Sequence, residues 1–448
     1  MTKELVEQII PNGASICNPG FSSYITTGGT TASTIAIAAA SIASPQRYTL
    51  TAFNFIEELS LKWLAKMLSL DNMLGVYSSG GSVANLVALG AARQSAFEKI
   101  GIDPAAQGMT RSGSIYASGE CHHTIQRSAG VLGLGRNCVK AVKCDARGRM
   151  DVENLEQVII SDIAAGLLPI AVVANAGSTN TGAIDPLLAI GKIANRYAIW
   201  FHVDGAYGLP GILDDRISHL YAGLNMADSV IVDPHKWLGA AVGIAATFVR
   251  DRDLLQRAFT QEPADYLEGS VEQNSSELNA AGLDTEQPEK DKNTPQVAHS
   301  LDSFGIPYFD YGVELSSPCR GIVVWAMLKE IGVQGLRERV IRHNDMSRYI
   351  AKITNDHPQL ELLDEPTLSI CCFRYVDESI VDLNRFNQAL HRRLVRENNY
   401  MPSTTKVQGQ LAIRPCYIGA RHEPHQADGL ICEILKLGLE MTASGKTF

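Results

Sequence analysis

The sequence has no excess of positive charge and no apolar run long enough to cross a membrane. Its 448 residues carry 39 Lys and Arg against 48 Asp and Glu, a formal net charge of −9. Because proteins that bind a phosphate backbone are usually basic, a nucleic-acid partner is not expected. The smoothest apolar stretch, Thr31–Ala43, is too short for a bilayer, which needs about 20 residues. No membrane partner is expected either.

Several common site signatures are also missing. The nine cysteines include no C-x-x-C pair, and no basic and apolar leader opens the chain, which together predict reduced thiols and a cytoplasmic protein. The absence of G-x-S-x-G and H-E-x-x-H disfavours serine hydrolases and zinc proteases. Gly133-Leu-Gly135 lacks the third glycine of a dinucleotide-binding loop. The pair His422 and His425 is interpreted as solvated, so no metal site is predicted.

Apolar runs alternate with helical patterns from about residue 50 to residue 250. The runs typical of strands are SIYAS, IAVVANA, AIWFHVD, SVIVD and IAATFV. Near-continuous apolar strands separated by helices predict a mostly parallel sheet covered on both faces. The Gly-, Ser- and Thr-rich start predicts an arm, and the C-terminal part predicts a small α+β domain. The expected divisions are an arm (1–50), a large domain (51–325) and a small domain (326–448).

Residues 268–300 interrupt this alternation. They contain no aromatic residue, seven acidic and two basic side chains, and the prolines Pro288 and Pro295. A segment of this composition buries too little apolar surface to hold one conformation. We therefore predict a mobile loop within the large domain, acting either as a linker or as a lid.

Four short segments carry groups that suit one chemistry. Asp204 ends the run AIWFHVD, and Lys236 follows the next run within DPHKW. Ligands of open α/β sheets bind beyond the carboxyl ends of the strands. Gly81 and Ser82 precede a helical pattern, where backbone N–H groups and the helix dipole bind anions. His122 follows the strand-like run SIYAS and also precedes a helical pattern.

Each of these residues alone has a more ordinary explanation. Asp204 could cap a helix, Lys236 could be a surface lysine, and the glycines and His122 could simply occupy turns. Together they suit a ligand that carries a negative charge, an aldehyde group and a ring that contains nitrogen. The amine would bond to the aldehyde, the carboxylate would keep the ring nitrogen protonated, the imidazole would stack on the ring, and the helix start would bind a phosphate. This combination predicts pyridoxal 5'-phosphate as the cofactor.

With these motifs, the sequence resembles the group II pyridoxal-phosphate-dependent amino acid decarboxylases, the superfamily of aromatic-L-amino-acid decarboxylase and glutamate decarboxylase. The most specific match is HVDGAYG followed by DPHKW. The resemblance implies an α/β enzyme of fold type I, with a mainly parallel seven-stranded sheet in a large domain and a small C-terminal α+β domain. It also implies a homodimer with shared active sites and a small-molecule amino acid substrate.

The resemblance assigns a role to each matching residue. Lys236 would form the Schiff base, Asp204 would pair with the pyridine nitrogen, and His122 would stack on the ring. Tyr266, in EPADYL, would protonate the carbanion after carbon dioxide leaves. Tyr24, in NPGFSSY, would line the substrate pocket. The cofactor-binding residues implied in this way are Gly81, Ser82, His122, Thr179, Asp204, Ala206, His235 and Lys236.

Departures from the family pattern leave the substrate and the mode of dimerisation open. Gly205, Val83 and Ser317-Pro318 stand where alanine, a polar residue and paired arginines are usual. Tyr24 points to an aromatic or medium-sized substrate, whereas Arg47 points to an acidic one. The alternatives are a decarboxylating aldehyde synthase, a carbon–carbon lyase of the sphingosine-phosphate type, and a catalytically inactive binding homologue. Retention of Tyr266 favours the decarboxylase over the aldehyde synthase.

Overall fold

Two β-sheets, of seven and five strands, organise the part of the chain that the structure describes. This computed structural model describes residues 2–13, 16–43, 51–260, 306, 308–397 and 399–444. The strands are β1 (Phe21–Ser22), β2 (Leu74–Ser78), β3 (Gly113–Ser118), β4 (Val139–Val142), β5 (Leu168–Asn175), β6 (Trp200–Asp204), β7 (Ser229–Val232), β8 (Ala245–Val249), β9 (Leu360–Asp364), β10 (Cys372–Tyr375), β11 (Met401–Val407) and β12 (Gln410–Arg414). The α-helices are α1 (Thr2–Glu4), α2 (Thr31–Ala43), α3 (Thr51–Met67), α4 (Gly81–Glu98), α5 (Pro104–Gln107), α6 (Thr124–Val131), α7 (Val152–Ala164), α8 (Leu187–Arg196), α9 (Arg252–Phe259), α10 (Gly321–Asp356), α11 (Leu383–Glu397) and α12 (Pro424–Ala443).

The larger sheet has the strand order β2-β8-β7-β6-β5-β3-β4. Every pair of neighbours is parallel except those made by β8, which runs antiparallel to both β2 and β7. Strand β8 is reversed because no crossover helix separates it from β7, and a parallel pair needs such a crossover. The central strands are buried on both faces, which explains their continuous apolar sequences. The predicted, mainly parallel seven-stranded sheet is confirmed.

The smaller sheet joins the two ends of the chain. Strands β9 to β12 pair antiparallel, and α11 and α12 pack on them around a second apolar core. Strand β1 of the arm adds to the edge of this sheet, parallel to β11, with Phe21 opposite Met401. The N-terminal arm is therefore attached to the C-terminal part of the chain.

Helix α10 consists of two helical segments that meet at Gly332. This glycine has φ 69° and ψ 169°, a conformation in which a side chain would be strained. The predicted boundary between residues 325 and 326 falls inside the first segment. Arg47, Tyr266 and the predicted loop 268–300 lie outside the described residues.

The side chains of all nine cysteines are free thiols, as predicted. Within the described ranges, no helix combines the length and apolar character that a membrane span requires.

Candidate active site

Eight of the ten predicted site residues line one cleft of about 380 Å³. The cleft lies at the carboxyl edge of the large sheet, where β6 ends at Asp204 and Lys236 follows β7. Helix α4 starts there after β2, and the loop with His122 follows β3. The eight residues are Gly81, Ser82, His122, Thr179, Asp204, Ala206, His235 and Lys236.

Asp204 is held firmly by its neighbours at the floor of the cleft. The side chain of this residue, which is 7% exposed, accepts a hydrogen bond from the Ala206 amide at 3.1 Å. Its second oxygen accepts one from Asn85 Nδ2 at 3.0 Å. Both donors are neutral groups, so neither of them offsets a negative charge on this carboxylate.

A chain of hydrogen bonds supports Asn85 from within the core. Trp200 Nε1 donates to Ser229 Oγ at 2.8 Å, which leaves the serine hydrogen to donate to His202 Nδ1 at 2.9 Å. His202 Nε2 then donates to Asn85 Oδ1 at 2.9 Å. Complete burial lowers the pKa of His202 to about 4, so the imidazole is neutral, and Nε2 is its donor because the Asn85 oxygen can only accept.

His122 is a neutral imidazole at the side of the cleft. Thr124 Oγ1 accepts from Asn85 Nδ2 at 3.2 Å and donates to His122 Nδ1 at 2.8 Å. Burial lowers the pKa of His122, and the nearby Asp204 offsets this only in part. The same asparagine therefore orients both the carboxylate and the imidazole.

Lys236 lies beside a second carboxylate. Its Nζ is 3.0 Å from Oδ2 of Asp233, a residue that is only 2% exposed. The Lys236 amide also donates to the Asp233 carbonyl at 2.9 Å, which closes a turn at the end of β7. This turn brings the lysine back over the carboxyl edge of the sheet.

The start of helix α4 forms a cradle for an anion. Gly80 has φ 154° and ψ 172°, a conformation that lets the backbone turn sharply into the helix. A Cβ on Gly81 would lie 2.7 Å from Asp233 Oδ2, so any other residue there would force this carboxylate to shift. The first amides of the helix have no acceptor within it, and they carry the positive end of its dipole.

The remaining cofactor-site residues lie at the rim of this cradle and cleft. His235 Nδ1 donates to the Ile244 carbonyl at 2.6 Å, which leaves Nε2 toward Asp233 at 3.9 Å. The Thr179 carbonyl accepts a hydrogen bond from Arg414 of β12. Arg414 also donates to the carbonyls of Asn180 and Tyr24, so it joins the small sheet to the cleft and the arm.

Tyr24 does not line this cleft in the single chain. Its side chain is 69% exposed, and its φ of 55° places the backbone in the left-handed region. Its role in a substrate pocket stays a prediction, as does that of Tyr266.

The residues present fit pyridoxal phosphate. Asp233, which lines the cleft, has a buried Oδ1 with no hydrogen-bond partner among the described residues. Buried polar groups normally have partners, so this atom indicates a polar ligand. An amine, a carboxylate held by neutral donors, a neutral imidazole and a helix start face the same space, and they match the aldehyde, ring nitrogen, ring face and phosphate of this cofactor.

Sequence reasoning missed Asn85, Thr124, His202 and Arg414, which orient the predicted residues. The visible signals among them were an arginine inside the apolar run QLAIRPCYI and a histidine inside the apolar run AIWFHVD. The interpretation of His422 as solvated was wrong. It is 4% exposed, and its Nε2 donates to the Phe21 carbonyl at 2.9 Å, because the loop folds under the arm. No group of residues suited to a metal ion occurs in the described ranges.

Comparisons with known proteins agree with this geometry. A family model described as the pyridoxal-dependent decarboxylase conserved domain matches residues 4–288. The chain is 29% identical to an aromatic-L-amino-acid decarboxylase of Bacillus atrophaeus, over 87% of this chain and 74% of that protein. It is 32% identical to a cysteine sulfinic acid decarboxylase of Mus musculus, over 73% of this chain and 60% of that protein.

Solved structures share the fold. Mouse CSAD in its apo form superposes with a TM-score of 0.83 at 27% identity, covering 98% of this chain and 88% of that chain. Oryza sativa TDC, solved with PLP and tryptamine, superposes with a TM-score of 0.85 at 24% identity, covering 98% and 87%. The second likeness supports the fold alone.

Proposed function

Because the chain belongs to the pyridoxal-dependent decarboxylase family, we propose that its cleft removes carbon dioxide from an L-amino acid bound through a cofactor on Lys236. The protein is a fold-type I carboxy-lyase that depends on pyridoxal phosphate and acts on an amino acid. The assignment of roles to individual residues is our proposal. The observation that carries it is the convergence of Lys236, Asp204 and the start of α4 on one cleft.

Lys236, Asp204 and His122 would hold the reacting end of the cofactor. Pyridoxal phosphate supplies an aldehyde that bonds to amines and a ring that accepts the electron pair left by departing carbon dioxide. Asp204 holds a proton at the ring nitrogen, because an adjacent carboxylate favours the charged form of that nitrogen. The neutral His122 packs against the ring, and its orientation is fixed by Thr124.

The phosphate would bind at Gly81 and Ser82, where the first amides of α4 are available. Thr179, Ala206 and His235 would complete the contacts around the cofactor. Tyr266 would deliver a proton to the α-carbon after decarboxylation, as the resemblance to the family implies. Protonation of the α-carbon gives an amine. If oxygen reacts with this carbon before it is protonated, the product is an aldehyde.

The second candidate is therefore a decarboxylating aldehyde synthase, and the retained Tyr266 favours the decarboxylase. The products decide between the two activities. Carbon dioxide release should be measured across the twenty common L-amino acids, DOPA and cysteine sulfinic acid, with amine and aldehyde quantified for each substrate turned over. We expect amine and carbon dioxide in equal amounts, and the panel identifies the substrate side chain.

The assignment of Lys236 is tested by Lys236→Ala. We expect turnover to be lost and borohydride to trap no cofactor on the protein, because no other amine lines the described part of the cleft. Lys192→Ala, which removes an exposed lysine from α8, is the control and should behave as the wild type. Near-wild-type turnover by Lys236→Ala would contradict the assignment.

We also propose a homodimer that works in the cytoplasm. Exposed apolar side chains cluster on the arm, which in a single chain faces solvent: Leu5, Val6, Ile9, Ile10, Ile35, Ile37 and Ile42. So many large apolar side chains exposed within one arm are typical of an interface between subunits. The nine free thiols are consistent with a reducing compartment.

A further inference from the structure

Asp233 is a second buried carboxylate in the cleft, and the proposed function gives it no role. Its Oδ2 lies 3.0 Å from Lys236 Nζ, and its Oδ1 has no hydrogen-bond partner in the part of the chain that the structure describes. Apart from Lys236, the titratable groups that face it are His235, with Nε2 at 3.9 Å, and His122. The charge of Asp233 is therefore balanced chiefly by the lysine.

The side chain of Asp233 is not required for the local turn. The turn at the end of β7 uses its backbone, since its amide donates to the Ala206 carbonyl and its carbonyl accepts from the Lys236 amide. Asp204 differs, because its carboxylate accepts a backbone amide and a side-chain amide. A carboxylate without such structural bonds, buried beside a reactive amine, points to a role in the chemistry.

The ion pair depends on the state of Lys236. When the lysine nitrogen is bonded to the cofactor, it no longer approaches Asp233 as a free ammonium. The carboxylate is then buried without its partner, and an unpaired buried charge is costly. The cost is increased by the phosphate proposed at Gly81, because the α-carbon of Gly81 packs directly against Asp233.

We propose that Asp233 receives Lys236 as an ammonium whenever the lysine leaves the cofactor, and so favours exchange of the lysine for an incoming amine. This inference rests on the proposed role of Lys236. In the exchange, the nitrogen of the incoming amine bonds to the aldehyde carbon as the bond from that carbon to the lysine nitrogen breaks. Each proton that the incoming ammonium loses is matched by one that the lysine nitrogen gains as it becomes an ammonium, and nothing is oxidised or reduced. Asp233 is thus a positioning residue that acts through Lys236.

The test measures this exchange without catalysis. The cofactor-loaded enzyme is equilibrated with increasing methylamine, which has no carboxylate to lose, and is then reduced with borohydride. Peptide mass spectrometry reports the fraction of Lys236 that carries the cofactor. We expect Asp233→Asn to require at least about tenfold more methylamine for half-displacement than the wild type, because the ammonium form of Lys236 has lost its counter-ion.

Glu433→Gln is the matched control, since it removes the carboxylate of another i,i+3 pair, 3.1 Å from Lys436 and far along the chain. It should leave the half-displacement concentration unchanged. Asp233→Ser gives the same readout if the asparagine variant fails to fold. A structural role alone would lower the unfolding temperature without moving the half-displacement concentration. Equal concentrations in wild type and variant overturn the inference, whereas absence of cofactor on Lys236 in every protein overturns the proposed function instead.

Discussion

The cleft and the N-terminal arm differ in whether contacts within one chain satisfy their side chains. In the cleft, Asp204, Asn85 and His202 form a continuous set of hydrogen bonds that ends in the core at Trp200. On the arm, apolar side chains face solvent, and Ile42 is 89% exposed. A single chain therefore fixes the polar geometry of the cleft but leaves the apolar side chains of the arm exposed.

The two regions nevertheless share one feature: in each, a buried neutral histidine forms hydrogen bonds between distant segments. His202 links the strand β6 to α4 beneath the cleft. His422 accepts from the Gly419 amide at 3.0 Å and donates to the Phe21 carbonyl, so it attaches the arm to the C-terminal loop. Burial lowers the pKa of each to about 4. Lowering the pH should therefore destabilise the contacts of both histidines, although only His202 lies beneath the cleft.

The largest effect is expected from the carboxylate of the cleft. Asp204→Ala should lower kcat by about a hundredfold or more, because the carboxylate proposed to keep the ring nitrogen protonated is lost. Cofactor content, measured by absorbance and by phosphate analysis, should fall much less than kcat. Comparable rates for variant and wild type would contradict the role of Asp204.

Asn85→Ala is a variant with a smaller expected effect that serves for comparison. It leaves the carboxylate in place but removes a donor that orients it, so kcat should fall by about tenfold. If Asn85→Ala were as damaging as Asp204→Ala, the orientation of the carboxylate would matter more than its charge.

The segments that carry the chemistry could be predicted because each is contiguous in sequence and ends a strand. Asp204 and Lys236 come together because β6 and β7 are neighbouring parallel strands, which their apolar sequences already indicate. The reversed direction of β8 could not be predicted, since its sequence is as apolar as that of its parallel neighbours. Direction depends on the connection between strands rather than on the strand itself.

The supporting residues could not be predicted for a different reason. Asn85 reaches Asp204 across 119 positions of sequence, and Phe21 reaches His422 across 401. Neither contact leaves a local pattern, because each depends on how a helix or loop packs in the finished fold. A histidine in a polar, proline-containing loop has the same local sequence whether it is solvated or buried.

An effect of intermediate size is expected where the arm would meet a second chain. Replacing Ile35 and Ile42 together by Glu should raise the dissociation constant of the dimer by about thirtyfold or more, because losing the burial of even one large aliphatic side chain costs about 2 kcal/mol. Sedimentation velocity across a concentration series measures this constant.

The control for the arm is Val381→Glu, which changes an isolated side chain that is also exposed. It should leave the association unchanged. A wild-type chain that sediments as an active monomer at micromolar concentration would contradict the proposed dimer.

The smallest effect concerns the histidine that holds the arm. Burial, and to a smaller extent Arg342, lowers the pKa of His422 from 6.5 to about 4, so the unfolded chain binds a proton that the folded chain does not. Stability is therefore highest well above pH 6.5 and falls as the pH drops through 6.5 toward 4, by about 1 kcal/mol between pH 6.5 and 5.5 for this group. His422→Gln should remove this part of the pH dependence, measured as urea unfolding midpoints at the two pH values. The matched variant His425→Gln changes the exposed neighbour and should keep the wild-type slope, while His202 continues to contribute in both proteins. An unchanged slope in His422→Gln would mean that the arm separates from the C-terminal loop before the rest of the fold unfolds, which would make the attachment local rather than part of the core.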